Sequence, residues 1–208
     1  MRGMTGILDA DMRKLVIASN NTGKLKEIRH LLEPLGFEVF SQSALGVTES
    51  DEPHATFIEN ALLKARHASL CAGLPSLADD SGICVPRLNG KPGIHSARYA
   101  GGSRSDERNN QKLVETLRGE SDRRAYYYCV MVLLRHAEDP QPLIADGTWH
   151  GEIVLEPQGQ GGFGYDPYFF LSELGKTAAE LPMEQKNRMS HRGQALARLV
   201  NRIREEGI

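Results

Sequence analysis

Three polar segments of this chain have residue types and spacing that could bind a ligand that carries phosphate groups. They are residues 19–24 (SNNTGK), residues 79–82 (DDSG) and residues 159–166 (GQGGFGYD). Hydroxyl, amide and ammonium groups donate hydrogen bonds to phosphate oxygens, and carboxylates hold the Mg²⁺ that usually accompanies them. Together the three segments predict a phosphate-binding protein with a candidate metal site.

Residues 19–24 lie where a predicted buried strand meets a predicted helix. The unpaired backbone N–H groups and the dipole of a helix N-terminus attract anions, and Lys24 adds a positive charge. The segment is not a P-loop, because Ala18 stands where that motif needs glycine and Leu25 follows the lysine. Two interpretations stay open: a phosphate-binding loop, or a loop whose serine and asparagine only cap the helix.

Acidic residues cluster in two places. Asp79 and Asp80 follow a predicted buried strand, where carboxylates can hold Mg²⁺ alongside water and phosphate. Side chains alternate along a strand, so we expect only one of this pair to face the ligand, and the alternative is a polar turn with solvated carboxylates. Asp51 or Glu52 could supply a second metal ligand or lie in a solvated loop. Lys64, on the following predicted helix, could reach phosphate or solvent.

The glycine-rich segment matches the dinucleotide-binding pattern GxGxxG literally. That fingerprint requires a strand before it and a helix after it, and neither is predicted here. We instead interpret residues 159–164 as a flexible backbone track that lets Phe163 stack on a base while Asp166 offers acceptor oxygens. A plain glycine-rich hairpin is the alternative.

The elements that must position these segments follow an α/β pattern with a mixed sheet. An apolar run at 15–18, a helix with apolar residues at helical spacing and a strand at 37–40 predict a β-loop-α-β opening. Thr56 and Glu59 form a capping-box pattern at the start of a second helix. The other predicted elements are short strands at 77–78 and 83–85 around a turn at 79–82, a helix at 106–117, antiparallel strands at 126–135 and 143–149, and a C-terminal helix capped by Ser190.

Composition limits the class of protein. With 208 residues, 40% of them hydrophobic, the chain can bury one full core, so we expect a tail at 1–11 and a single domain at 12–208. The net charge of −2 argues against nucleic-acid binding. Three widely spaced cysteines without a CxxC pair argue against a disulfide framework or a zinc site and favour the cytoplasm. The longest apolar run, residues 126–134, is too short to span a membrane as a helix, and residues 1–11 lack the features of a signal peptide.

Seven segments in order resemble one family, the inosine triphosphate pyrophosphatases that hydrolyse non-canonical purine nucleotides. The similar segments are 19–24 (SNNTGK), 56–65 (TFIENALLKA), 78–82 (ADDSG), 92–101 (PGIHSARYAG), 161–167 (GGFGYDP), 176–181 (KTAAEL) and 190–195 (SHRGQA). Each is weak alone, but the ordered set covers nearly the whole chain and is highly specific.

The resemblance implies an α/β fold in which a long, curved mixed sheet and flanking helices form two lobes around a nucleotide cleft, usually in a homodimer that uses Mg²⁺. It implies that Asp80 is the catalytic carboxylate and a metal ligand, with Glu52 rather than Asp51 as the second ligand. With Lys64 added, the candidate substrate contacts are Ser19, Asn20, Asn21, Thr22, Gly23, Lys24, Lys64, Ser81, Phe163, Gly164, Tyr165, Asp166, Lys186, His191 and Arg192.

These roles lead to a chemical hypothesis. A water molecule oriented by Asp80 attacks the α-phosphorus of ITP, dITP or XTP, and pyrophosphate leaves beside Lys24 and Lys64. The hypothesis requires the segments around Lys24 and Asp80 to converge in space. Donors from His191 and Arg192 would favour the 6-oxo group over the 6-amino group of adenine, although the two could also form an ordinary basic first turn of a helix.

Rival functions predict different behaviour. A pyrophosphatase acting on modified pyrimidine nucleotides would have a similar α/β shape, and a substrate panel separates the two. A non-catalytic nucleotide sensor would bind ITP through the same loop without releasing pyrophosphate. A nicotinamide oxidoreductase depends only on the literal GxGxxG match, which lacks its strand and helix.

Overall fold

The computed structural model describes residues 13–206, so the predicted tail at residues 1–11 lies outside the described residues and the domain boundary stays a prediction. The strands are β1 (Arg13–Ile17), β2 (Phe37–Ser41), β3 (Ser76–Cys84), β4 (Arg124–Leu134), β5 (Leu143–Ile153), β6 (Phe169–Leu171) and β7 (Lys176–Thr177). The α-helices are α1 (Thr22–Leu32), α2 (Phe57–Ala72), α3 (Asp106–Leu117), α4 (Met183–Met189) and α5 (His191–Glu206).

The seven strands form one mixed sheet in the order β2-β1-β3-β4-β5-β6-β7. β1 runs parallel to both β2 and β3, and every later pairing is antiparallel. The opening β-loop-α-β unit and the antiparallel β4–β5 pair confirm the sequence prediction. Within residues 13–206, no helix combines the length and the apolar character needed to cross a bilayer.

Alternation along the central strands sends apolar side chains to both faces of the sheet. Leu15 and Ile17 of β1 join one core cluster with Leu77 of β3, and helices α1 and α5 cover that face. Val16 and Ala78 point the other way, into a cluster with the alanines of α2. The same alternation directs Asp79 of β3 toward α1 and α5, and Asp80 toward α2.

The other end of the sheet has its own core. Tyr127, Trp149 and Phe169 pack there with Leu113 and Leu117 of α3. The hydrophobic interior is therefore divided between the two halves of the sheet, and the mixed sheet with flanking helices confirms the predicted fold class.

The predicted turn at residues 79–82 is wrong. β3 runs unbroken through it, with Asp79 opposite Met131 and Asp80 opposite Val130 of β4. Turn-forming residue types were overridden because cations on both faces of the sheet compensate the two carboxylates. Gly82 lets the chain at Gly93 pack closely against this strand, since a Cβ at position 82 would collide with the carbonyl oxygen of Gly93.

Helix ends mostly follow the predicted signals. The Thr56 hydroxyl accepts the N–H of Glu59 at 3.3 Å, and α2 ends at Gly73, whose φ of 65° is left-handed. Ser190 accepts the N–H of Gly193 at 3.2 Å at the start of α5. Helix α4, just before it, was not predicted from the sequence.

Candidate functional site

A cavity of about 360 Å³ opens where β1 ends and α1 begins. Its first wall is the loop that carries Ser19, Asn20 and Asn21, together with Lys24. The second wall consists of the acidic loop 49–52 and Lys64, and the third consists of residues from the segment 94–98 together with Arg104. The predicted phosphate loop and the predicted acidic loop therefore share one cavity.

The loop at residues 19–24 both caps the helix and faces this cavity. Asn21 Oδ1 accepts the N–H groups of Gly23 and Lys24 at 3.0 and 3.1 Å, and Ser19 Oγ accepts the N–H of Asn21 at 3.2 Å. Thr22 and Gly23 form the first turn of α1. The capping interpretation is thus correct for Asn21. The loop still directs a helix N-terminus toward the cavity, as anion binding requires.

Asp79 connects three elements beneath the cavity. Its side chain is only 2% exposed, and its two oxygens lie 3.0 and 2.7 Å from Lys24 Nζ. Arg192 Nε, on α5, lies 3.6 Å from Asp79 Oδ2. Burial raises the pKa of Asp79, but Lys24 and Arg192 more than offset this and hold it well below its usual range. Asp79 is therefore an ionised carboxylate whose negative charge is already balanced by Lys24 and Arg192.

Asp80 points to the opposite face, toward α2. Lys64 Nζ lies 3.4 Å from Asp80 Oδ1 and 2.6 Å from Glu52 Oε1, so one ammonium group is shared by two carboxylates. Burial raises the pKa of Asp80, and Lys64 opposes that rise only in part. For Glu52 burial also raises the pKa, but Lys64 outweighs it and the net shift is downward. The Lys64 side chain is mostly buried between these partners rather than in solvent.

The donor set at Asp80 and Glu52 fits a hard divalent cation. In the part of the chain that the structure describes, no three His, Cys, Asp or Glu side chains come together as a metal cluster. Mg²⁺ does not need such a cluster, because it binds one or two carboxylates and completes its shell with water and phosphate oxygens. Asp80 Oδ1 accepts the N–H of Ser81, whereas Oδ2 receives no hydrogen bond from residues 13–206.

A second group of predicted residues meets beside α5. Arg192 Nη2 lies 3.2 Å from Ser81 Oγ. Lys186 is hydrogen-bonded to Asp166, and its Nζ lies 4.8 Å from the centre of the Phe163 ring. The Phe163 residue is 57% exposed, so one aromatic surface is open to a ligand. Because Arg192 also contacts Asp79, this group adjoins the phosphate side of the site.

Two predicted contacts have unexpected surroundings. The His191 ring stacks on Tyr127 with the centroids 4.6 Å apart, and burial together with Arg192 holds the pKa of His191 well below its usual value. It is therefore a neutral imidazole rather than part of a basic helix turn. The Tyr165 side chain lies in the core and donates its hydroxyl to Ser96 O at 2.8 Å, so only its backbone can reach a ligand.

Comparisons with known proteins identify the family. The Ham1 family model matches residues 15–202. This chain belongs to the Ham1 family. A dITP/XTP pyrophosphatase of Nitrosomonas europaea is 73% identical over 194 residues, which cover 93% of this chain and 96% of that protein. A dITP/XTP pyrophosphatase of Ralstonia nicotianae is 61% identical over 196 residues, covering 93% and 98%. The structure of a HAM1 protein from Coxiella burnetii superposes with a TM-score of 0.90 at 46% identity, covering 93% of this chain and all of that one.

The family predicted from seven segments is thus confirmed, yet some residues of this Ham1 site were missed. Asp79 was not expected to bind Lys24 and Arg192, because strand alternation indicated only that one aspartate of the pair faces away from the ligand and both cations are distant in sequence. Arg98 and Arg104 line the cavity, and within residues 13–206 neither side chain forms a hydrogen bond or an ion pair. Nothing in the spacing of residues 92–101 shows that this segment folds over the phosphate loop.

Proposed function

We propose that this chain hydrolyses the non-canonical purine nucleotides ITP, dITP and XTP to the monophosphate and pyrophosphate, and so removes them before their incorporation into DNA and RNA. The observation that carries the proposal is the convergence of Lys24 and Lys64 on one cavity, beside the carboxylates of β3 and of the acidic loop. The names of the Nitrosomonas and Ralstonia relatives support the same substrate class.

The cavity suits a triphosphate with its metal ion because cationic side chains lie on three of its sides, together with the carboxylates of Glu49, Asp51, Glu52 and Asp79. Lys24 and the start of α1 lie on one side, Lys64 on a second, and Arg98 with Arg104 on the third. In a partly desolvated site such groups stabilise the charge that builds up on a leaving pyrophosphate. The protein thereby positions the chain of phosphates and neutralises it, which is most of what phosphoryl transfer requires.

Asp80 is the candidate catalytic carboxylate rather than Asp79. Both oxygens of Asp79 are engaged by Lys24, whereas Asp80 Oδ2 receives no hydrogen bond from the described residues and can orient a water molecule. The oxygen of that water forms a bond to the α-phosphorus as the bond to the pyrophosphate oxygen breaks, and the water loses its proton toward the carboxylate. Mg²⁺ held by Asp80 and Glu52 would add charge neutralisation at the phosphates.

The base would lie against Phe163. Its exposed ring offers a stacking surface, while Lys186 holds the other side of the turn by its bond to Asp166. Arg192 Nε is buried without a hydrogen-bond partner in the described part of the chain. A 6-oxo group could accept a hydrogen bond from this side of the site, whereas the 6-amino group of adenine could not.

The phosphate products test the function directly. With Mg²⁺ and dITP, we expect one pyrophosphate for each dIMP formed and no orthophosphate, measured by a pyrophosphate-specific coupled assay. We expect kcat/KM for dITP to exceed the values for dATP and dGTP by at least about 100-fold. Preference for a modified pyrimidine triphosphate would favour the first rival function. ITP binding without pyrophosphate release would favour the sensor.

Replacing Arg192 with alanine is expected to erode base selection. Without the guanidinium, the ratio of kcat/KM for dITP to that for dATP should fall about tenfold or more, because a buried donor for the 6-oxo group is lost. The ratio is measured on one protein sample, so partial unfolding cancels. Arg198→Ala is the matched control, since Arg198 lies on the same helix in an exposed pair with Asp146. An unchanged ratio in the Arg192 variant would remove this residue from base recognition.

The family resemblance also leads us to propose a homodimer that acts in the cytoplasm. Cys71, Cys84 and Cys129 are all free thiols, which is consistent with a reducing compartment.

A further inference from the structure

In the glycine-rich turn that carries Phe163, Asp166 accepts the Phe163 N–H at 2.7 Å, but four of the residues before it are glycines without side chains. Gly164 adopts a left-handed φ of 63°, and three further glycines occupy positions 159, 161 and 162. Glycine-rich backbone has a large conformational entropy to lose when it is ordered. An exposed aromatic on such a turn needs an external support if it is to be ready for a ligand.

Helix α3 supplies that support from more than 50 residues away in sequence. Asp106 Oδ2 accepts the N–H of Gly164 at 2.7 Å, and Asn110 Nδ2 donates to Gly164 O at 2.8 Å. Both polar backbone groups of one residue are therefore held by two side chains that lie four apart on one helix face. Asn110 is 7% exposed, so its bond is largely shielded from water.

The same end of α3 also holds the cavity wall that bears Arg98. Asn109 Oδ1 accepts the N–H of Ala100 at 2.8 Å, and Asn109 Nδ2 donates to Ala97 O at 3.0 Å. The start of α3 is thus bonded both to the glycine-rich turn and to a segment beside the phosphate cavity. Small rotations of this helix would move both.

We propose that Asp106 and Asn110 are positioning residues for nucleotide recognition, which act through Gly164 to hold Phe163 where a purine can stack on it. The inference rests on the proposed function and concerns the base half of the same site. Preorganisation lowers the ordering cost that binding would otherwise bear, so its loss weakens binding of the base.

Asp106→Ala is the primary test. Its KM for dITP should rise about tenfold while kcat changes less than about threefold, since the phosphates and Asp80 are unaffected. Isothermal titration should show about a tenfold weaker affinity for dIMP, which carries the base, and an affinity for inorganic pyrophosphate within about twofold of wild type. A general loss of structure would weaken both ligands together and would overturn the proposal.

Conservative variants separate the hydrogen bond from the charge. Asp106→Asn keeps an oxygen that can accept the Gly164 N–H, so it should restore near-wild-type KM. Glu107→Gln removes another acidic charge from the first turn of α3 and should leave KM unchanged. If Asp106→Asn is as impaired as Asp106→Ala, the effect comes from the helix dipole and the proposal fails.

Asn110→Ala gives an independent test from the other side of Gly164. The variant loses the hydrogen bond to the Gly164 carbonyl, but it also removes a buried Oδ1 that has no partner within residues 13–206. Because these two changes have opposite effects on the free energy of unfolding, the loss of folding stability should be small. Its dIMP affinity should fall as in Asp106→Ala. Gln111→Ala should match wild type, because the Gln111 side chain donates to Glu115 and to no other residue in the part of the chain that the structure describes. Wild-type dIMP affinity in both Asp106→Ala and Asn110→Ala would overturn the inference, whereas failure of the wild-type protein to release pyrophosphate would instead count against the proposed function.

Discussion

Asp80→Asn is expected to lower kcat for pyrophosphate release from dITP by on the order of 10³-fold, because the variant loses the carboxylate that we propose orients the attacking water and holds Mg²⁺. The fold should survive. Asparagine keeps an oxygen for the Ser81 N–H, and Lys64 retains its 2.6 Å contact with Glu52, so no buried ammonium is left without a partner. The melting temperature and the circular dichroism spectrum should therefore stay close to those of wild type.

Asp51→Asn is the matched control for this variant. Asp51 lines the cavity and its replacement removes the same charge, but within residues 13–206 it forms no ion pair with Lys64 or with another cation. We expect kcat within about threefold of wild type for Asp51→Asn. Equally fast turnover by Asp80→Asn and Asp51→Asn would show that Asp80 is not the catalytic carboxylate. Equally slow turnover by both would show that the total charge matters rather than the position of one carboxylate.

Local sequence signals predicted the elements well because each signal has a local physical cause. Thr56 caps α2 through a hydrogen bond three residues away, and the apolar spacing of residues 196–203 buries one face of α5. The turn predicted at Asp79 and Asp80 was wrong for the converse reason. Nothing local reveals that Lys24, Lys64 and Arg192 arrive from three helices to compensate two carboxylates inside a strand.

The candidate site shows the same difference between features with a local cause and contacts between residues distant in sequence. The types of Lys24, Asp80 and Phe163 were sufficient to predict a candidate phosphate loop, a candidate acidic site and an aromatic turn, although the acidic residues were placed in a turn rather than in a strand. The partners that position them were not predictable from spacing, because Gly164 is held by a helix 54 to 58 residues earlier in the chain. Likewise, the neutral state of His191 follows from its burial against Tyr127, which only the packing of α5 on β4 creates.

Asp79→Asn is expected to lower the free energy of unfolding by about 3 kcal/mol, because removing one member of a buried ion pair leaves the others uncompensated. The wild-type carboxylate is 2% exposed and neutralises Lys24 and Arg192, whose side chains are themselves 19% and 8% exposed. The asparagine fills nearly the same volume, so the loss reports charge rather than a cavity. Urea denaturation followed by circular dichroism gives the difference.

Asp146→Asn provides the comparison, since Asp146 forms an exposed pair with Arg198 at 3.5 Å and should contribute less than about 1 kcal/mol. An anion should partly replace the missing carboxylate. Inorganic pyrophosphate is therefore expected to raise the melting temperature of Asp79→Asn by more than that of wild type, because the site beside Lys24 has become more positive. Equal shifts in both proteins, or a loss no larger than that of Asp146→Asn, would contradict the view that Asp79 neutralises the phosphate side of the site.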